Sequence, residues 1–581
     1  MNRKWDVFLI VFLLCILTFL ASCCTDVILN LQAQTAQQEA DLLAELAAIS
    51  AIPDMSAKVQ SIIDIEEIWG LEDARSESDV PLVTQMRSQD GVLGYDRTSQ
   101  TFYCPILPLQ EDWPEIDLFG GGATPVQIVW VDDYSFDLCE EAVRKGYRYE
   151  LFAYTDTQYS YFGVVFTGLP VVTLHVSGGV DELADVYTPA RATVTAPGYD
   201  GIDQRAMTHL RSGGEDRQFP KLGYRVEFHD VSRKGRDTSK HIDVLGMGED
   251  SDWVLLSNVK DDTCLRSELG WALWRRWGSN FHQLALRQVE LFVDDSYVGI
   301  YQLANRVRYA DEIVRMGGNP QTDFAFRMEH YKKEEGIPAF DCYGFEHSWL
   351  DLLYCPPGKS EADAGRAIEP YLYLMRPEIS DEDFAKAASE YVDIAQMLDY
   401  YLYLSTAGLG KNSTFHNLFV YALRQGDGSY RYVLAPWDLD MTYQDEKGVF
   451  TAMIQPIRML DLNVNNCRET FWQIWETRLA GPAAPQALYD SVIACQDALN
   501  ASGAYLRESA LWQADYGGAK TLSVDTEVAF AYDHTWYIDE YFRERWPLTY
   551  DDVRDNPLFG DFGPYTESAT GVSRKAASIA P

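Results

Sequence analysis

The stretch GKNSTFHNLFVYALRQGDGSYRYVLAPWDLDMTY, residues 410–443, decides how the chain is read. It divides into a polar loop, an apolar strand (LFVYAL), a tight turn (RQGDGS), a second strand (YRYVLA) and an acidic tip, Pro436-Trp437-Asp438-Leu439-Asp440. Two apolar strands joined by Gly and Asp predict a hairpin. The open ends of an antiparallel pair lie side by side. Asn412, His416 and Asn417 before the first strand should therefore converge with Asp438 and Asp440 after the second. Amide and carboxylate oxygens gathered in this way suit a hard cation and the phosphates it carries. The plainer alternative is that Trp437 caps a core and the aspartates are turn residues.

The 581 residues are room for about three domains. With 47% hydrophobic and 13% aromatic residues the chain can bury a large core. A formal net charge of −40 would repel a polyanion and argues against a nucleic-acid partner. At the N-terminus, Arg3 and Lys4 precede the apolar run VFLIVFLLCILTFLAS, which is short for a membrane span and ends in small residues. Leu20-Ala21-Ser22-Cys23 resembles the lipobox of bacterial lipoproteins. This implies a signal peptide over 1–23, lipidation of Cys23, and a chain exported and anchored to the outer face of the cell membrane. An uncleaved anchor or simple secretion are the alternatives. None of the ten cysteines sits in a CxxC pair, so zinc is not expected. Export permits disulfides, with Cys104–Cys139 and Cys342–Cys355 as possible bridges; buried free thiols are equally open.

Residues 24–66, rich in Ala, Gln, Leu and Glu, predict a helical stalk or linker. Residues 67–168 alternate apolar and polar residues between Gly, Pro and Asp turns, which predicts a small β-rich domain. Its Tyr154, Tyr159 and Tyr161 form either a binding face or, more simply, part of the core. From Leu169 come the strands LPVVTLHV, ARATVTA and LGYRVEF. Between the last two lies a Gly-containing loop flanked by Arg211 and Lys221, which suits close approach to phosphates, although surface hairpins often look alike. DDTCLRSELGWALWRRWG predicts a helix capped by the Asp261/Asp262/Thr263 cluster. RQVELFVDDSYVGIYQLANRV predicts a hairpin. Residues 446–560 are mainly helical, with aromatics at core spacing, and 561–581 have the composition of a disordered tail. The fold class is α+β.

The segments LPVVTLHV, FPKLGYRVEF, LGMGEDSDWVLLSNVKDDTCLRSELGWAL, VELFVDDSYVGIYQL and HNLFVYAL…YVLAPWDLDMTY occur in this order over residues 169–445. This ordered set resembles the spore coat protein H (CotH) kinase family. The resemblance implies an atypical protein-kinase-like domain that binds ATP with Mg2+ or Mn2+ and phosphorylates serines of partner proteins, such as spore coat proteins. On that reading Asn417, Asp438 and Asp440 hold the metal, and Lys221 and Arg211 contact phosphate. Glu268 and Arg266, on the predicted helix, would pair with a lysine and contact phosphate respectively. The family usually has Asp where this chain has Asn412, and often Glu where it has Asn305. An amide is a poor general base. His416 could take that role from the same loop, or make a structural hydrogen bond.

Three functions follow. The first is an exported, lipid-anchored CotH-type kinase acting on protein hydroxyls. The second is a pseudokinase or surface structural lipoprotein without turnover. The third is a glycan-binding lipoprotein that uses the tyrosine-rich β domain.

Overall fold

A computed structural model describes residues 55–61, 63–107, 116–131, 140–179, 187–210, 219–231, 237–278, 281–329, 340–341, 349–376, 378–409, 412, 416–443, 453–512, 527–528 and 533–547. It is mixed α+β, with β structure in the first part and helices in the last. The chain divides into two compact units. The first comprises residues up to Ser257 with Leu286–Arg306 and Leu499–Asp515; the second comprises Asn258–Ala285, Val307–Ala498 and the chain from Tyr516.

The first unit contains a nine-stranded and an eight-stranded sheet. In the nine-stranded sheet, Ala57–Gln60 pairs antiparallel with Phe119–Gly121 and parallel with Gln127–Trp130. Residues 57–60 were expected in the helical stalk. They are instead an interior strand, and the first described helix is Ile65–Asp73. The rest of that stalk, the signal segment and the expected tail lie outside the described residues. Helix Ile65–Asp73 covers the tyrosine-rich face. Its Ile68 is buried with Phe152, and Tyr154, Tyr159 and Tyr161 pack around them. The Tyr161 hydroxyl donates to Glu72 at 2.9 Å, and the Arg75 guanidinium lies 4.9 Å from the Tyr154 ring centre. These tyrosines are packing residues, as the plainer expectation had it. Cys104 and Cys355 are free thiols, and their suggested partners Cys139 and Cys342 lie outside the described residues.

The eight-stranded sheet shows the period-2 alternation of its strands. Val172, Leu174 and Val176 of Val171–Val176 enter one core with Trp253, Leu255, Tyr301 and Leu303. Helix Ala504–Trp512, from far along the chain, packs on the strand Ser296–Asn305 of this sheet.

The second unit is built on a five-stranded antiparallel sheet. Its order is Phe340–Asp341, Trp349–Tyr354, Phe324–Glu329, Leu418–Arg424, Tyr430–Pro436. Helix Ile394–Ala407 is capped by the Asp393 carboxylate on Gln396 N and ends at Gly408, whose φ of 65° only glycine adopts freely. Several aromatics of the C-terminal helices are core, as expected, whereas Trp536 and Tyr537 of helix Thr535–Arg545 are exposed. Trp472, Trp475, Phe542 and Trp546 are all buried, and the Trp472 indole N–H donates to the Trp546 carbonyl at 2.8 Å. Among the described residues no helix is long and apolar enough to cross a membrane.

The helix expected from Asp262 begins later, at Arg266. Cys264, at φ 60°, breaks the helical path before it. The buried Asp261 carboxylate still caps the helix, accepting from Thr263 N at 3.0 Å and Arg266 N at 2.8 Å.

Candidate functional site

The quoted hairpin folds as its pattern dictates. Leu418–Arg424 pairs antiparallel with Tyr430–Pro436, and its last rung joins Leu418 to Pro436. Just beyond that rung, both chains turn through left-handed residues, Asn417 at φ 52° and Asp438 at φ 56°. Asn and Asp tolerate this conformation better than other residues that have a Cβ. The two side chains meet: Asn417 Nδ2 donates to Asp438 Oδ2 at 3.3 Å. Asn417 is 5% exposed, whereas Asp438 is open to solvent and Asp440 is half-buried.

Asn412 joins the two turns from within. Its side chain is 0% exposed. Its Nδ2 donates to the Asn417 carbonyl at 3.2 Å and to the Trp437 carbonyl, while Oδ1 is buried without a partner among the described residues. An amide so enclosed cannot take a proton from a substrate. Asn412, expected as a catalytic residue, is placed as a bracket between the loop and the acidic tip. His416 is half-buried in the same loop.

The acidic tip has a firm seat. Trp437 packs edge-on against Phe419 at 5.2 Å, so the core-capping reading of this tryptophan is also correct. Leu439 is 1% exposed and lies under helix Arg266–Arg276, where a Cβ on Gly270 would come within 2.8 Å of its Cβ. The Tyr403 hydroxyl holds the Gly270 carbonyl at 3.0 Å, and Tyr443 N donates to the Ala407 carbonyl at 2.9 Å. Asp438 and Asp440 therefore flank a residue locked between two helices.

The donor set decides which cation fits. Among the described residues no three His, Cys, Asp or Glu side chains gather tightly enough to hold a metal by themselves. One amide and one or two carboxylates remain at the hairpin end. This is the sparse oxygen set by which Mg2+ or Mn2+ is held when phosphate oxygens and water complete its shell. The Asn417–Asp438 contact brings the two side chains together with the amide nitrogen facing the carboxylate.

In the other unit, Lys221 is 1% exposed. Its Nζ donates to Glu508 Oε1 at 2.6 Å and to the Ile300 carbonyl at 2.8 Å, and sits 5.0 Å from the Tyr301 ring centre. Glu508, on helix Ala504–Trp512, accepts from Ile300 N at 2.8 Å through its other oxygen. Gly299 makes room: a Cβ there would collide with the Glu508 carboxylate. The lysine's carboxylate partner is thus Glu508, not Glu268, which is half-buried on helix Arg266–Arg276. Nothing local in the sequence marked Glu508, because the pair spans 287 residues. Arg266 is buried with its guanidinium on Glu527 at 2.9 Å, an ion pair rather than an open phosphate contact. Asn305 ends the strand Ser296–Asn305, opposite Trp253. Arg211 lies outside the described residues.

No curated protein matches the chain. A family model described as CotH kinase protein matches residues 211–489, which include Lys221 and the whole hairpin with its acidic tip. Residues 211–489 are a CotH kinase family domain.

Proposed function

We propose that the chain is an exported, lipid-anchored CotH-type atypical kinase of protein-kinase-like fold, which transfers the terminal phosphoryl group of ATP to protein hydroxyls. The observation that carries this reading is the hairpin end, where Asn417 and Asp438 meet beside Asp440 on a locked turn. In kinase chemistry an asparagine and an aspartate flanking such a hairpin hold the metal that neutralises phosphate charge. Asn417, Asp438 and Asp440 are the ligands in this account, and Mg2+ or Mn2+ supplies charge neutralisation when bound. Lys221 is the phosphate contact. Its pairing with Glu508 fixes the ammonium in one position, which lowers the cost of ordering it when phosphate binds. Arg211 and Glu268 remain candidate phosphate-site residues on the family resemblance alone.

The proton of the accepting hydroxyl has no carboxylate to receive it at position 412. His416 is the base of this account. Positioning and metal supply most of the acceleration in phosphoryl transfer, and a missing base costs about 10²–10⁴-fold. Export rests on the N-terminal apolar run, and anchoring rests on Cys23 after Leu20-Ala21-Ser22.

Asn412 favours a second reading, nucleotide binding without turnover, because its buried amide replaces the usual acid. The full chain, incubated with γ-labelled ATP, Mg2+ or Mn2+ and a serine-rich acceptor protein, separates the two. Label on a protein serine in the parent, lost in Asp438→Ala, supports the kinase. ATP binding with no label transferred to the chain or the acceptor supports the second reading.

A further inference from the structure

A cavity of about 360 Å³ lies within the first unit, lined by residues of both its large sheets. The nine-stranded sheet contributes Gln85 and, just past strand Gly94–Asp96, Arg97. The eight-stranded sheet contributes His175, Arg191 and the turn Asp294-Asp295. That turn joins Leu286–Val293 to Ser296–Asn305, and both its residues are left-handed, at φ 48° and 60°. It is clamped to the neighbouring strand Val171–Val176. Asp294 N donates to the Leu174 carbonyl at 2.9 Å, and Asp294 Oδ1 accepts from Val176 N at 2.7 Å. The carboxylate is thereby held in one position.

The cations of this cavity are already matched. Arg191 meets Asp203 through two hydrogen bonds of 2.7 Å. Arg97 meets Asp295 at 2.6 Å, with its side chain 72% exposed. Burial holds the His175 imidazole below its ordinary value, so it brings no charge at neutral pH, and it stands 3.8 Å from Asp295, too far for a hydrogen bond. Asp294 is left over. Its Oδ2 has no partner among the described residues, and neither has the Gln85 carbonyl Oε1. The space beside Asp294 is open: among the described residues, a Cβ on Gly179 would meet only Asp294 Oδ2, at 3.9 Å. Both open groups are acceptors, one of them charged, and acceptors so placed are satisfied in the great majority of cases. Their complement is a head group that is positive and purely a donor, as a protonated amine is. The volume suits a small molecule rather than a protein surface.

We propose that this cavity binds a small organic ammonium ion, whose N–H groups donate to the Asp294 carboxylate and the Gln85 carbonyl. Asp295 adds a further acceptor once Arg97 yields it, since an exposed ion pair contributes little. The site shares no residue with the nucleotide site proposed above and does not depend on it.

The test is calorimetric titration of the full chain with two matched pairs, glucosamine against glucose and 1,5-diaminopentane against 1,5-pentanediol, in which hydroxyls replace the amines. The parent should bind at least one amine roughly tenfold or more tightly than its hydroxyl partner. Asp294→Asn keeps an acceptor for Val176 N and a residue that tolerates the left-handed backbone; it should erase the preference. Arg97→Gln should bind the amine at least as tightly as the parent, because Asp295 loses its competing cation. A parent in which neither amine outbinds its partner overturns the proposal, as does a preference that survives in Asp294→Asn. Weaker amine binding in Arg97→Gln overturns it too, by assigning the contact to the guanidinium.

Discussion

Asn412 shows how a residue's role depends on contacts that its neighbours in sequence do not announce. Its type and spacing suggested a substituted base, but its bond to the Trp437 carbonyl reaches 25 residues along the chain. Restoring an acid at this position should not restore a base. Asn412→Asp replaces an amide that donates twice with a carboxylate facing two carbonyls. The expected result is a loss of about 1–3 kcal/mol in urea unfolding, with no gain in phosphoryl transfer. His282 gives a second prediction at this scale. It is fully buried at φ 48°, with Nδ1 2.7 Å from the Tyr421 hydroxyl, and burial pulls its imidazole down to about 3. The folded chain thus refuses a proton that the unfolded chain accepts below its ordinary value near 6.5. Stability contributed by neutral His282 is present above that value and lost as pH falls toward 3, with a slope of about 1.4 kcal/mol per pH unit. Unfolding measured at pH 7 and pH 5 should show this slope in the parent. It should be smaller by about that amount in His282→Asn, a residue that tolerates the left-handed backbone.

At the scale of elements, the hairpin was legible because strand alternation and a Gly/Asp turn are local signals. Its register placed Asn417 beside Asp438 as expected. Two other boundaries were not legible. The strand Ala57–Gln60 carries too short a pattern to stand out beside an Ala- and Glu-rich segment, and its identity comes from its partners on either side. The helix at Arg266 starts late because Asp261 draws the preceding residues into a turn, with Cys264 N donating to the Asp261 carbonyl at 3.3 Å. Gly270 then fits against Leu439 and Thr442, where no Cβ has space. Gly270→Ala should push helix Arg266–Arg276 off the acidic tip. The expected cost is roughly 1–3 kcal/mol from overpacking. Metal-dependent ATP affinity, measured below the Tm, should fall as Asp438 and Asp440 are displaced. Unchanged affinity would mean that the tip keeps its geometry without this helix.

For the whole molecule, the β-then-helix order of the chain conceals that the first unit is completed from the far end. Residues Leu499–Asp515 belong to it, and Glu508 meets Lys221 there with both side chains almost wholly buried. Composition and periodicity cannot reveal such a return, because each helix taken alone shows only an ordinary core pattern. Removing one partner of a buried ion pair leaves an uncompensated charge, at about 3–5 kcal/mol. Lys221→Met and Glu508→Gln should each lower Tm sharply. The double change Lys221→Met/Glu508→Leu should recover part of the loss, and strict additivity in that cycle would show that the two groups are not coupled. The central claim is that this fold carries a metal-dependent ATP site ending at Asp438. Its most direct test is calorimetric titration of the full chain with ATP, with and without Mg2+ or Mn2+, for the parent and for Asp438→Ala. The account predicts tight binding in the parent only with the metal present, and loss of that metal-dependent part in Asp438→Ala; no binding by the parent with either metal, or the same binding in both proteins, would contradict it.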